Sequence, residues 1–487
     1  MLPYTIPAAR KKRSLLIMVL GISLVTQLTN CKKLVTVSSP DTSITQDNVY
    51  TNDATAIAVL TGVYTNMSQN GLNSGLCAMS FYPGLSADEL SLIDYTNVTY
   101  TAYYTNSLTN KNTGTADFWN TIYPIIFTLN SAITGLTGAT SLTPAVDQQL
   151  MGEAKFMRAF CYFYLVNLYG PVPLVTGTNY TVNAVLPRVS TGEVWAQIIA
   201  DLQDAQKLLS PNYLDATLLN TTKAKVRPTQ WAATALLARA YLYTGNWTGA
   251  DSAASVVINN SSLFSLNSLD SVFLANSNEA IWQLQPVALG ENTPDAWLFI
   301  IPSTGPTIGN YPVFLNTALL NAFEPGDQRF VDWVDSVQAN GTTYYYAYKY
   351  QSAALNAPVT EYEMVLRLAE QYLIRAEAEA NGAGNGLSSA IQDLNTIRVR
   401  AGLDSTAAAT QQLVLSAILH ERQVELFTEW GHRWLDLKRA DSINLVMSNV
   451  TPTKSNGATS WQNYQQLYPI TLYELQHDPN LQQNNGY

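Results

Sequence analysis

The sequence predicts a mainly α-helical protein, made of tetratricopeptide-type helix pairs and interrupted by one irregular, loop-rich insertion with a few short strands. Three observations predict it. Apolar residues recur at three- and four-residue spacing over most of the chain. Glycine turns join the helical stretches in pairs, and three stretches echo one another: FMRA (156–159), LARA (237–240) and LIRA (373–376) each place Arg-Ala after a bulky residue. The echoes are unevenly spaced, which excludes a regular tandem array and leaves an interrupted one, each pair burying its face against its neighbours. Finally, residues 260–358 lose the helical period, are rich in Gly, Pro and Asn, and hold strand-like runs such as AIWQLQP and TYYYAYKY.

Taken in order, DATAIAVLTGVYTNM (53–67) and FWNTIYPIIFTLNSAITGL (118–136) read as amphipathic helices. GEAKFMRAFCYFYLVNLYG (152–170) is apolar nearly all round, so a buried central helix is expected, stopped by Gly170 and Pro171. Ser190 to Glu193 spell a capping box, with Trp195, Ile198, Ile199, Leu202 and Leu209 forming the face behind it. Pro228 opens an alanine-rich helix that Gly245 ends, and NWTGADSAASVVI begins its partner. Residues 361–382 and 387–402 repeat the plan of helix, glycine turn and helix. In TYYYAYKYQ, alternation would align Tyr344, Tyr346, Tyr348 and Tyr350 on one face; a structural strand is the favoured reading over a ligand platform.

The N-terminus reads as an export signal. Arg10 to Arg13 are all basic, the short apolar run SLLIMVLGISLVTQL follows, and Cys31 closes the segment. Leu28, three residues before Cys31, suits lipoprotein processing, whereas Asn30 departs from the usual small residue. Residues 1–30 are thus expected to be a lipoprotein signal peptide, and residues 31–50 the lipidated Cys31 and a polar tether. One domain is expected over 51–487, with a helical scaffold (51–260 and 359–441) and the insertion at about 261–358. Removing residues 1–30 leaves a net charge of −14, since four basic residues and no acids are lost. So acidic a domain would not be drawn to anionic lipid heads or to nucleic acid, and a lipid anchor is its expected tether. Cys161 lies in an apolar helix and is expected to pack as a small hydrophobe; a disulfide with Cys77 stays open.

HERQVELFTEWGHRWLDLKR (420–439) is the stretch that most resembles an active site, with eight Asp, Glu, Lys or Arg residues in a chain that is 13% charged. A zinc-peptidase HExxH motif fails, because four residues after His420 stands Val424. Glu421, Glu425 and Glu429 recur every four residues and would share a helix face, with Arg422, Arg433, Lys438 and Arg439 near enough in sequence to neutralise them. The reading is a partly buried ion-pair network beside Trp430 and Trp434, a scaffold rather than a catalytic centre. Asp88-Glu89 and Glu324/Asp327 are glycosidase candidates by residue type alone. No GxSxG, Walker loop or GxGxxG occurs, so no catalytic residue is assigned and no metal or organic cofactor is expected.

Flat aromatic faces beside neutral and charged hydrogen-bonding groups suit a ligand that presents both C–H surfaces and hydroxyls. Two loop regions supply both. Residues 81–104 contribute Tyr95, Tyr100 and Tyr103, and residues 291–312 contribute Asp295, Trp297, Phe299, Asn310 and Tyr311. Trp297, a large ring amid turn residues, is the leading single candidate.

Over nearly the whole mature length the chain resembles the SusD/RagB family of outer-membrane nutrient-binding lipoproteins. GEAKFMRAFCYFYLVNLYGPVPLV, RPTQWAATALLARAYLYTGNW, AFEPGDQRF and the HERQVELFTEWGHRWLDLKR signature carry the resemblance in order. It implies a SusD-like fold of tetratricopeptide-type pairs and a non-catalytic, cell-surface lipoprotein. Such a protein captures oligosaccharides or polysaccharides and delivers them to a SusC-like TonB-dependent outer-membrane transporter. Lys32 and Lys33 after Cys31 depart from the acidic residues that such surface-exported lipoproteins often carry there. Capture of peptides or glycopeptides by the same architecture, or a periplasmic tetratricopeptide-type assembly scaffold, are the alternatives.

Overall fold

A computed structural model describes residues 49–68, 76–113 and 118–487; the expected signal peptide, Cys31 and the expected tether up to residue 48 lie outside the described residues, as does the side chain of Cys77, whereas Tyr50 at the tether's end packs against the core. Helix α1 (Asp53–Ser68) starts where the Asn52 side chain accepts from the amides of Ala54 and Thr55 at 2.9 and 3.2 Å. Helix α2 (Phe118–Thr137) packs on α3 (Pro144–Tyr169), which starts eight residues before the expected stretch because Pro144 supplies a preset first turn. From Phe156 to Val166 every residue of α3 is buried, including the free thiol of Cys161, and Gly170 ends the helix at φ +74°. Helix α4 (Thr191–Leu208) carries the predicted capping box: Ser190 Oγ accepts from the Glu193 amide, and Glu193 Oε2 accepts from the Ser190 amide at 3.0 Å. Then come α5 (Gln230–Tyr243) and α6 (Trp247–Ile258), joined through Gly245 at φ +69°.

The scaffold resumes with α7 (Leu368–Ala380), α8 (Leu387–Arg400), α9 (Gln411–Glu425), α10 (His432–Arg439) and α11 (Ile443–Lys454). From α2 to α9 each helix packs on the next, and α6 meets α7 directly although the long insertion separates them in sequence. The Arg-Ala echo has a physical meaning. Arg158 on α3 grips Asp201 on α4, Arg239 on α5 grips Glu370 on α7, and Arg375 on α7 grips Asp393 on α8, each through two hydrogen bonds of 2.6–2.8 Å. Three guanidinium forks thus staple helices of the array with the planar geometry that suits arginine.

One expected helix start is corrected. Residues 361–382 do not form one helix: Glu363–Arg367 is a strand, β6, and α7 begins only at Leu368. Strand β6 pairs antiparallel with β2 (Ala280–Leu284), and both are buried along their full length. That pairing takes up the backbone of EMVLR, so tertiary pairing overrides local helical propensity. Within the insertion, β1 (Leu90–Leu92) from the first half pairs with β3 (Val313–Leu315), and β4 (Val334–Ala339) forms a hairpin with β5 (Thr342–Ala347). Asn340 and Gly341 both have positive φ, the signature of a two-residue type I′ turn. Strand β5 ends at Ala347, so the four alternating tyrosines do not share one strand face. Tyr346 donates to Asp335, and the Tyr350 hydroxyl accepts from the Met364 amide, which are structural roles.

The ion-pair network at residues 420–439 exists, but its partners differ from the sequence expectation. Helix α9 ends at Glu425, and Thr428 and Trp430 take positive φ, so Glu429 lies on a turn and not on the same helix face. Glu421, Glu425 and Glu429 are fully buried or nearly so, and their cations come from afar. Arg329 donates to Glu421 at 2.6 Å and Glu425 at 2.9 Å; Arg367 donates to Glu279, Glu425 and Glu429; Arg400 donates to Glu279 and Glu425; Arg398 donates to Glu421 and Glu324. Lys349 caps the turn by donating to the carbonyls of Glu425 and Phe427 and to Glu429. The bases nearby in sequence face other directions on their helices and pair elsewhere: Arg422 with Asp436, Arg433 with Asp88, Arg439 with Glu377, and Lys438 with the Asn167 carbonyl. Burial alone would raise Glu425, yet the guanidinium groups of Arg400, Arg367 and Arg329 hold its carboxyl well below the usual range.

Removing one partner from such a set leaves an uncompensated buried charge. Arg367→Met is expected to lower unfolding free energy by about 3–5 kcal/mol in urea titrations. Lys155→Met, which breaks a half-exposed pair with Asp204, is expected to cost less than about 1 kcal/mol.

Candidate functional site

The two loop regions singled out in the sequence meet in space. Strand β1 and strand β3 align Leu90 with Leu315, Ser91 with Phe314 and Leu92 with Val313, and the Ile93 amide extends the ladder to Pro312 at 2.9 Å. The chain therefore emerges from β1 into Asp94-Tyr95 beside the stretch where Asn310-Tyr311 enters β3. Phe314 meets Tyr344 of the hairpin edge-on at 5.2 Å, which fixes the third side of this surface.

Local hydrogen bonds give both loops a defined shape. Asp94 accepts from the amide and hydroxyl of Thr96, and Asn97 caps the short helix Val98–Tyr104 by accepting from the Tyr100 amide at 3.0 Å. Opposite, Thr307 and Tyr311 exchange backbone hydrogen bonds of 3.0 and 3.2 Å, leaving Ile308, Gly309 and Asn310 exposed at the tip. Tyr95 is 48% exposed and rests on Tyr104 at 5.9 Å between centroids.

The eight candidate ligand residues separate by burial. Tyr95 and Asn310 are exposed, while Tyr311 and Trp297 are half-buried. The indole N–H of Trp297 is sealed from solvent, so that residue offers ring surface rather than a donor. Tyr100, Tyr103, Asp295 and Phe299 are buried, and rings or carboxylates so enclosed have no face open to a ligand. Their roles are internal: Tyr100 packs edge-on to Phe81 at 5.1 Å, and Tyr103 packs on Tyr82 and Tyr468. Asp295 sits beside Glu363, whose carboxyl burial raises well above the usual range and the Asp295 charge raises further.

The glycosidase candidates are likewise committed. Asp88 takes both arms of the Arg433 fork at 2.7 Å, Glu324 is bound by Arg398, and Asp327 by Arg329. Glu89, fully buried, is raised to about 8 by burial and then by the Asp88 charge, and its Oε1 accepts from the Thr428 amide. His432 is pushed well below its usual range by burial and the surrounding arginines, and His420 holds the Ala322 carbonyl at 2.8 Å.

Sequence reasoning missed a second aromatic surface. A cleft of about 430 Å³ is lined by Trp119, Tyr123, Phe127, Tyr180, Glu474 and His477 among others, with Tyr180 76% exposed. Its residues come from three distant stretches, and only the isolated exposed aromatics Phe127 and Tyr180 could have signalled it.

Residues 333–487 match the SusD family, and residues 39–242 match a family described as starch-binding and associating with the outer membrane. The chain belongs to the SusD/RagB family. The description of the second family names carbohydrate binding and association with the outer membrane. Among relatives of this SusD/RagB chain is SusD-like protein P25 of Formosa agariphila, 25% identical over 92% of this chain and 95% of its own. A SusD superfamily structure from Bacteroides vulgatus superposes with a TM-score of 0.75 at 22% identity, covering 89% of this chain and 99% of that one. A laminarin-binding SusD-like protein does so at 0.70 and 23% identity, covering 90% and 100%. Likeness at that identity shows the shared fold.

The buried carboxyls make stability depend on pH. An unfolded glutamate titrates near 4.3, so between about pH 4 and 8 folded Glu89 holds a proton that the unfolded chain has lost, and stability falls as pH rises. Glu89→Gln is expected to flatten the decline between pH 5 and 8, by up to about 1.4 kcal/mol per pH unit. Denaturant midpoints measured across that range test this; equal slopes for both proteins would contradict a protonated Glu89.

Proposed function

We propose that this SusD/RagB protein is a surface-exposed glycan receptor, anchored by acyl chains on Cys31, that passes captured oligosaccharides to a SusC-like TonB-dependent transporter. The observation that carries the reading is the β1–β3 pairing, which brings Tyr95, Asn310 and Tyr311 to one exposed surface from two loops far apart in sequence. Ring faces there suit sugar C–H surfaces, and Asn, Thr and Tyr groups suit hydroxyls. The insertion is the proposed ligand-binding part and the helix pairs its scaffold. Trp297 adds partly exposed ring surface on the short helix Pro294–Phe299. Among the described residues no helix is long and apolar enough to cross a membrane, which is compatible with a lipid tether.

Native gels containing a panel of polysaccharides, with the Cys31→Ser protein lacking its signal, test the receptor. Retarded migration without released reducing sugar is expected. Tyr95→Ala and Tyr311→Ala should each weaken binding about tenfold, the equivalent of one lost stacking contact. Undiminished binding in both, with a loss in Tyr180→Ala, would move the site to the Trp119–Tyr180 cleft. Binding of peptides and of no glycan would overturn the glycan reading.

Palmitate labelling should disappear in Cys31→Ser, and gentle detergent extraction should recover the wild-type protein with a large β-barrel partner. Labelling that persists, or recovery of the protein alone, would remove the anchor or the partner respectively.

A further inference from the structure

Resting on the glycan reading, the distribution of positive charge narrows the ligand class. The described residues hold 33 acidic and 20 basic side chains. Fourteen of the twenty bases lie within 4.0 Å of a carboxylate, and most of these pairs are buried. Four more, Arg188, Lys225, Lys438 and Lys454, donate to backbone carbonyls. Of the remainder, Lys111 and Lys223 are exposed, as is Lys207, whose one ion pair is stretched to 3.9 Å.

None of these three is on either loop. Residues 34–110 and residues 240–328 contain no lysine or arginine at all, and the two runs include both ligand loops entire. Lys454 lies beside the Tyr95 surface, its carbonyl accepting from Tyr95 at 3.5 Å. Its Nζ points inward to the carbonyls of Leu85, Ser86 and Ala87 and is buried. Acids, by contrast, stand on the loops themselves, with Asp94 and Glu291 outside the core.

A uronate or sulfate group is recognised through charge-assisted bonds from arginine or lysine, and a surface of the same sign repels it over roughly a Debye length of 8–10 Å. We infer that the receptor takes uncharged glycans and excludes polyanionic ones. Selection of this kind acts by omission: the loops offer rings and neutral hydrogen-bonders, and nothing that balances a negative charge.

Affinity electrophoresis of the full mature chain (Cys31→Ser) tests this with two neutral glucans, starch and laminarin, and two polyanions, polygalacturonate and a sulfated galactan, each at 20 and 500 mM NaCl. Retardation by at least one neutral glucan is expected, unchanged within twofold between the two salts, with polyanions at least tenfold weaker. Ile308→Lys with Val98→Lys, both exposed on the loops, should gain polyanion retention at 20 mM NaCl that vanishes at 500 mM. Polyanion binding by the wild type that equals or exceeds neutral binding and weakens with salt would overturn the inference while leaving the glycan reading intact. Failure of every glycan, with retardation by none of the four, would overturn the glycan reading and this inference with it.

Discussion

Three glutamates buried at one corner of the scaffold govern how the rest of the chain is arranged. A carboxylate removed from water must meet cations or give up its charge, and Glu421, Glu425 and Glu429 meet four arginines and a lysine. Those cations arrive from separate places: Arg329 and Lys349 from the insertion, Arg367 from the strand that closes it, Arg398 and Arg400 from α8. The insertion cannot shift relative to the helices without stranding a charge. Rigidity of the loop surface therefore originates well below it, in a network that has the residue types of an active site and the job of a clamp.

The helical scaffold was largely legible in the sequence because it is written in local periodicity and in caps such as Ser190 and Gly170, which act over a few residues. The Arg-Ala echo was visible too, though its purpose was not, since Asp201, Glu370 and Asp393 lie on other helices. Legibility failed where partners are distant. EMVLR reads as the start of a helix until AIWQL is placed beside it, and the glutamates of 421–429 give no sign that Arg329 and Arg367 will reach them. At the candidate site the segments were legible but not their orientation. Tyr95 and Tyr103 look alike in sequence, yet one crowns a turn and the other fills the core, because Asn97 starts a helix between them.

Charge placement and ligand surface are two sides of one design. Among the described residues the chain buries most of its arginine, much of it joining helices, and builds its outer loops from tyrosine, asparagine and threonine. Charges inside are paired in a low dielectric, while the proposed ligand surface outside offers ring faces and neutral hydrogen-bonders, groups that salt screens little. The acidic balance that results does not favour adsorption onto anionic headgroups.

The direct packing of α6 on α7 has an evolutionary reading. Where the chain leaves the array and where it returns are stitched together by the Leu274–Glu361 bridge and the β2–β6 ladder. The two ends of the insertion thus meet at a closed junction, and lengthening a loop beyond it costs little, about 0.6 kcal/mol for each doubling. The insertion can be regarded as an exchangeable cassette: descendants could rewrite its tip for another ligand without disturbing a single helix, provided the cations that plug into the glutamate corner are kept.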